Sequence, residues 1–200
     1  MRTDVGANGI GGRGCHIAAA LCLALLGAPA LIACGGGGGG HHGVVTRITC
    51  GGVTVPGQDQ VEFACPANSV SPIAVRVVIG PTSSMDVYGI KFDVVFDPAV
   101  LNFDSPAMEG SFLNKDGSPT VLEAATQPGD PGRLVVAVTR QGAVGGVGTS
   151  GAQTTVVTLP FAAVAAGTTS LGFENGTVVD SGLAPIAAIQ FGSPVSVTFQ

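Results

Sequence analysis

From Tyr88 to Phe96 every second residue is apolar: Tyr88, Ile90, Phe92, Val94 and Phe96, with Gly89, Lys91 and Asp93 between them. Side chains alternate faces along a strand, so this run predicts a strand with a buried face carrying all five apolar residues and a mostly polar outer face. Asp97-Pro98 stops it, because proline brings no amide hydrogen to a ladder and biases its predecessor away from regular pairing. The chain restarts at Val100-Leu101-Asn102-Phe103 as a short strand.

The same pattern recurs along the rest of the chain. Residues 73–79 and 133–139 are rich in Val, Ile and Leu and predict strands. Residues 120–124, 154–161 and 194–199 predict three more, with Val157, Leu159 and Phe161 on one face. Pro160 points to a bulge or an edge there. Residues 169–173 and 177–179 predict a pair of strands joined by the turn Asn175-Gly176. Asn114-Lys115-Asp116-Gly117 and the cluster 128–132 are further turn signals. No stretch has the period of an amphipathic helix of normal length. Many short strands separated by turns predict an all-β sandwich, and residues 44–200 have room for one such domain.

Composition narrows the function classes. Charged residues are only 10%, Trp is absent, Tyr88 is the single tyrosine and the formal charge is −5. A nucleic-acid binder needs a basic patch and stacking aromatics, so this balance argues against one. The three histidines, His16, His41 and His42, all precede the predicted domain. A Ser-His-Asp or Cys-His arrangement therefore cannot assemble within it. Paired carboxylates among Asp93, Asp97, Asp104, Glu109 and Glu123 are the remaining catalytic option, against the plainer reading of solvated strand carboxylates. The weight falls on a non-enzyme.

The N-terminus carries a different signal. Arg2 and Arg13 precede the uncharged apolar run 17–26, which is too short for a comfortable membrane span and suits a signal-peptide core. Leu31-Ile32-Ala33-Cys34 follows and resembles the lipobox of bacterial lipoproteins. That resemblance implies a signal peptide over 1–33 and a lipidated Cys34, hence export and a lipid anchor in the cell envelope. The competing reading is an ordinary signal peptide with a chance cysteine. Gly35 stands where an aspartate would mark retention in the inner membrane of some Gram-negative bacteria, so the resemblance favours the outer membrane or cell surface. Six glycines, 35–40, predict a flexible tether over 34–43. His41-His42 are two metal-capable side chains on that tether, a poor metal site.

Cys50 and Cys65 are the cysteines left beyond Cys34. In an exported protein an even pair reads as a disulfide. The alternative, two thiolate ligands of a metal, lacks further Cys or His to complete a zinc site. Two other motifs invite a ligand. Gly146-Val147-Gly148-Thr149-Ser150-Gly151 has the spacing of a dinucleotide loop but sits between strands, so it reads as a flexible hairpin loop and not a nucleotide site. Asn114 to Gly117 with Glu123 partly overlays a calcium loop, but Phe112 stands at the first ligand position and Pro119 interrupts it. The turn reading is preferred, with a surface calcium on other carboxylates such as Asp130 or Asp180 left open. No cofactor is expected.

Taken together, residues 70–198 resemble a cohesin-type domain. The resemblance rests on 75–79, on the run 87–101 with its Asp97-Pro98-Ala99-Val100-Leu101 element, and on Gly110 closing the next strand. It continues through Gly132-Arg133-Leu134-Val135-Val136-Ala137-Val138, the Gly-rich loop, Thr158-Leu159-Pro160-Phe161 and Val178-Val179-Asp180-Ser181-Gly182. It implies a nine-stranded jelly-roll sandwich that binds a protein partner or a polysaccharide on one sheet face. In cellulosomes that partner is a dockerin, a calcium-binding module on a polysaccharide-degrading enzyme. Asn102, Asp104, Glu123 and Thr139 are the candidates for such a face. Two alternatives stand beside a protein-binding module: a carbohydrate-binding module, disfavoured by the lack of Trp, and a structural envelope lipoprotein.

Overall fold

The computed structural model describes residues 47–51, 55–66, 70–151 and 153–200. The leader, Cys34, the tether and His41-His42 lie outside the described residues, as does the expected domain start at 44.

Among the described residues twelve strands form: β1 (Ile48–Cys50), β2 (Gln60–Ala64), β3 (Ile73–Ile79), β4 (Gly89–Val95), β5 (Leu101–Phe103), β6 (Met108–Glu109), β7 (Thr120–Gln127), β8 (Asp130–Arg140), β9 (Thr154–Ala163), β10 (Gly167–Val179), β11 (Gln190–Phe191) and β12 (Val195–Phe199). They make two six-stranded sheets. The first runs β1-β12-β10-β4-β8-β7 and the second β11-β2-β3-β9-β5, with β6 also on β9. The all-β sandwich expected from the period-2 pattern is what forms. The strand count exceeds nine through short pieces such as β1, β6 and β11.

The alternation works as physical chemistry demands. Leu134, Val136 and Val138 of β8 face inward, as do Ile90, Phe92 and Val94 of β4 and Val157, Leu159 and Phe161 of β9. Rings from both sheets interdigitate: Phe63 of β2 stacks on Phe173 of β10 at 3.8 Å, and Phe161 of β9 meets Phe96 at 5.3 Å. Each fully buried aliphatic or aromatic side chain contributes roughly 1.5–3 kcal/mol, and this layer is the main source of stability.

Tyr88 departs from the pattern. Strand β4 begins one residue later, and buried Val87 pairs with Val147 in an isolated bridge. Tyr88 is half-buried and its hydroxyl donates to the Gly142 carbonyl at 2.9 Å. A phenol needs a partner when it leaves water, and the loop carbonyl supplies one at the sandwich rim.

The Asp97-Pro98 stop has a specific geometry. Asp97 Oδ1 accepts from the Ala99 amide at 2.9 Å, and its carbonyl accepts from Val100 and Leu101. An Asx turn of this kind reverses the chain and delivers Leu101 to the second sheet. Gly110 is needed for close approach: a Cβ there would lie 2.1 Å from the Thr155 carbonyl oxygen on β9. Pro160 is neither bulged nor at an open edge. Its carbonyl accepts from Asp104 at 2.9 Å, so its missing amide falls where β9 changes neighbour from β6 to β5.

Two expected turns and loops differ. Residues 169–179 are one strand and not a hairpin. Glu174 pairs Asp93 and Thr177 pairs Lys91 of the same β4, so Asn175-Gly176 makes a bulge, with Asn175 at φ +50. A left-handed residue suits a bulge as well as a hairpin turn. The Gly-rich loop is pinned in place. Val147 exchanges both backbone bonds with Val87, and Thr149 pairs with Thr82. A Cβ on Gly146 would meet the Asp86 backbone at 2.3 Å, so its glycine serves packing and not a phosphate.

The disulfide forms between Cys50 and Cys65, Cα atoms 5.9 Å apart. Cys50 ends β1 of the first sheet and Cys65 follows β2 of the second, so the bridge ties the two layers together.

Candidate functional site

Strand register fixes which side chains share the outward face of the first sheet. Val121 of β7 lies opposite Thr139 of β8, Thr139 opposite Gly89 of β4, and Gly89 opposite Val179 of β10. The next row holds Glu123, Ala137, Lys91 and Thr177, and the one after it Ala125, Val135, Asp93 and Glu174. No helix forms among the described residues to cover this face.

The row of Val121, Thr139, Gly89 and Val179 at one end is small and uncharged. Gly89 leaves a gap: a Cβ there would touch Val179 at 3.2 Å and Thr139 at 3.3 Å. The result is a shallow depression of ≈ 270 Å³ lined by Gly89, Lys91, Ala137, Thr139, Thr177 and Val179. Lys91 is exposed and makes no ion pair among the described residues.

The other end is charged and rigid. Arg133 donates to Asp93 at 2.9 Å, to Glu174 at 2.7 Å and to Asp130 at 3.3 Å. Asn175, in the bulge of β10, donates a 2.7 Å bond to the same Asp93 oxygen. Asp93 is only 5% exposed, so this outward carboxylate is not simply solvated as the alternation suggests; it needs the guanidinium. The three carboxylates hold the Arg133 guanidinium firmly in its charged form, Glu174 foremost. One cation among three carboxylates leaves this end net anionic.

The four candidate face residues divide. Glu123 and Thr139 lie together on this face, in adjacent rows of β7 and β8. Asn102 sits on β5 and Asp104 just beyond it, both exposed, and β5 belongs to the second sheet. The four therefore do not form one sheet face. Periodicity reports which side of its own strand a residue occupies and is silent about that strand's neighbours. Lys91, Ala137, Val135 and Thr177 join the face in their place. One signal for them is present in the sequence: Leu134-Val135-Val136-Ala137-Val138 is apolar on both faces, so its outer side is unusually dry.

The other candidate sites are used structurally. Asp116, in the partial calcium loop, binds Arg140 at 2.6 Å and accepts from the Ser118 amide. Asp130 takes the Gly132 amide and Arg133, while Asp180 Oδ1 takes the Gly182 and Ala184 amides, both at 2.9 Å. Of the carboxylates weighed for catalysis, Asp93 serves the Arg133 node and Asp97 its turn. Glu109 accepts from the Thr120 hydroxyl at 2.5 Å. Asp86 accepts from the Ser181 hydroxyl at 2.8 Å and the Gly146 amide at 2.6 Å, and these bonds, Ser181 foremost, lower its pKa. It fastens the Gly-rich loop and the loop after β10 to one another.

No family model matches this sequence, and no curated protein sequence matches it. Solved structures do. A type II cohesin domain from the cellulosome of Acetivibrio cellulolyticus is similar over 68% of this chain and 93% of its own, with TM-score 0.53 and 16% identity. The sixth cohesin of that organism's scaffoldin B, solved in complex with the Cel5 dockerin, is similar over 67% and 94%, with TM-score 0.51 and 18% identity. Type II cohesin A11 from Bacteroides cellulosolvens covers 68% and 96%, with TM-score 0.51 and 9% identity. At such identities the likeness carries architecture, and the architecture is unambiguous: this chain has the fold of the cohesin-type domains.

Proposed function

We propose that this chain is a non-catalytic binding module that holds a protein partner of dockerin type on the outward face of β7, β8, β4 and β10, and that Cys34 carries it on a lipid anchor in the cell envelope. The observation that carries the reading is the face itself. No helix among the described residues lies over it, it offers a small, mostly apolar depression that Lys91 lines, and it ends in a fixed anionic node. An apolar centre flanked by charge suits a protein surface. Sugar platforms rely on planar aromatics, and no aromatic side chain stands among the outward residues of these four strands. The solved cohesin bound to a dockerin supports the same class of partner; a link to polysaccharide breakdown is part of the proposal.

Arg47 and the depression lie at opposite ends of the first sheet. Arg47 and Gln200 exchange backbone bonds at the end where β10 begins, while the depression lies at its far end. The thirteen residues of β10 span roughly 40 Å at about 3.3 Å each. The depression therefore lies at the end of the first sheet remote from Arg47.

The test is capture from an extract of the native organism with residues 44–200. A specific protein should be recovered and insoluble polysaccharide should not retain the domain. Retention on polysaccharide with no protein recovered overturns the reading in favour of a carbohydrate-binding module. Radiolabelled palmitate should enter the wild-type protein and not Cys34→Ala; label surviving that substitution removes the anchor.

A further inference from the structure

The sheets end on strands of very different length. Among the described residues β1 and β5 have three residues and β6 and β11 two, whereas β7, the last strand of the first sheet, has eight. Short strands, prolines, lysines and bulges keep a free edge from pairing. From Thr120 to Thr126 strand β7 has no proline, no lysine and no bulge, its one register shift falling after Thr126.

Backbone geometry fixes which of its groups are open. The Gln141 amide donates to the Pro119 carbonyl at 2.9 Å, and the register carries that pairing on to Val121–Thr139, Glu123–Ala137 and Ala125–Val135. Along an antiparallel pair, residues alternate between bonding to the neighbour and facing away from it. Leu122, Ala124 and Thr126 therefore turn their amides and carbonyls to the open side, where no backbone bond among the described residues takes them up. Side chains add a second, independent signal. Leu122 and Ala124 pack inward on the core yet stay half-buried, while Val138 and Val136 beside them on β8 are 1% and 0% exposed. Thr126, next along that inner row, is exposed. The apolar layer reaches an edge where one more strand would cover it.

We propose that β7 is the place where two copies of this chain join, each laying its β7 antiparallel to the other's so that the two first sheets become one. The occupant follows from the strand's own sequence. A two-fold axis through Leu122, Glu123 or Ala124 sets open amides opposite one another. Through Glu123 it places two carboxylates directly opposite, which is repulsive. Through Leu122 it sets Thr126 against Ser118, whose amide is already taken by Asp116 at 3.1 Å. Through Ala124 it pairs Leu122 with Thr126 and Ala124 with itself, about six main-chain bonds made wholly from open groups. Glu123 then lies opposite Ala125, and the half-buried Leu122 and Ala124 of each copy gain cover from the other. Such a contact uses the same patch twice and closes at two copies. It is independent of what the outward face binds, because the added strand lies beside that face and not over it.

Sedimentation equilibrium of the full chain tests this. Wild type should be dimeric at about 100 μM. Ala125→Glu, at an exposed outward position, sets a carboxylate against Glu123 of the second copy and should weaken the dimer at least about fivefold, while Ala125→Lys should not weaken it. Ala124→Pro removes an amide that faces away from β8 and should leave a folded monomer. A wild type that is monomeric at that concentration, a dimer that Ala125→Glu does not weaken, or a folded Ala124→Pro that still pairs overturns the proposal. Benzoylphenylalanine at Gln127, irradiated in an extract of the native organism, should join the chain to a second copy. A cross-link to a different protein instead overturns self-pairing and gives the edge to a strand of that protein.

Discussion

Arg140 is 2% exposed, a charge taken almost wholly out of water. Its guanidinium donates to the Leu113 carbonyl and, at 2.6 Å, to Asp116. A buried cation persists only with such partners. Arg140 in turn holds the Asp116 carboxyl well below the usual carboxylate range, helped by the Ser118 amide. The unfolded chain therefore binds this proton more tightly than the folded one. The stability from the pair is complete above the ordinary value of 3.8 and is lost as pH falls through the lower folded value. Urea midpoints from about pH 5 down to about pH 2 should fall further for the wild type than for Asp116→Asn. Equal falls in the two proteins would contradict this pairing. The same residue shows why a motif overlay misleads: its carboxylate is committed to an arginine 24 positions away in sequence, which local spacing cannot reveal.

The elements show how strand assignment and strand pairing differ in legibility. Alternation placed β3, β4, β8, β9 and β12 because each has a face that must leave water. Asn175-Gly176 misled because the dipeptide suits both a hairpin turn and a bulge, and only the common partner β4 decides between them. Glu123 and Thr139 fell on one face with Ala137 and Lys91, while Asn102 and Asp104 went to the other sheet, because neighbours across a sheet leave no mark in a strand's own period. The cysteine pair was legible from its even count, but its role between layers was not. Strand β1 has three residues and pairs β12 alone, so it gains its hold on the second sheet through Cys65. The double variant Cys50→Ala/Cys65→Ala should lose about 3 kcal/mol in denaturant unfolding, the loop-entropy value for a closure of this length. An unchanged midpoint would mean that the bridge constrains nothing the strands do not already hold.

At the scale of the molecule, one sheet face is set apart by what it lacks and where it lies. Among the described residues it has no helix over it, and it has an apolar far end and a carboxylate-rich end held by Arg133. The other outward face carries Arg76, exposed, on β3 of the second sheet. A partner on the first face must cover Ala137, which is half-buried on the β8 wall of the depression, and need not approach Arg76. The affinity of the captured partner for wild type, Ala137→Arg and Arg76→Glu is therefore the most direct measurement. Binding through the first sheet predicts a loss of about tenfold or more for Ala137→Arg, as expected when bulk and charge enter an interface centre, and a change under about twofold for Arg76→Glu. Full affinity in Ala137→Arg with loss in Arg76→Glu would contradict it and move the binding face to the second sheet.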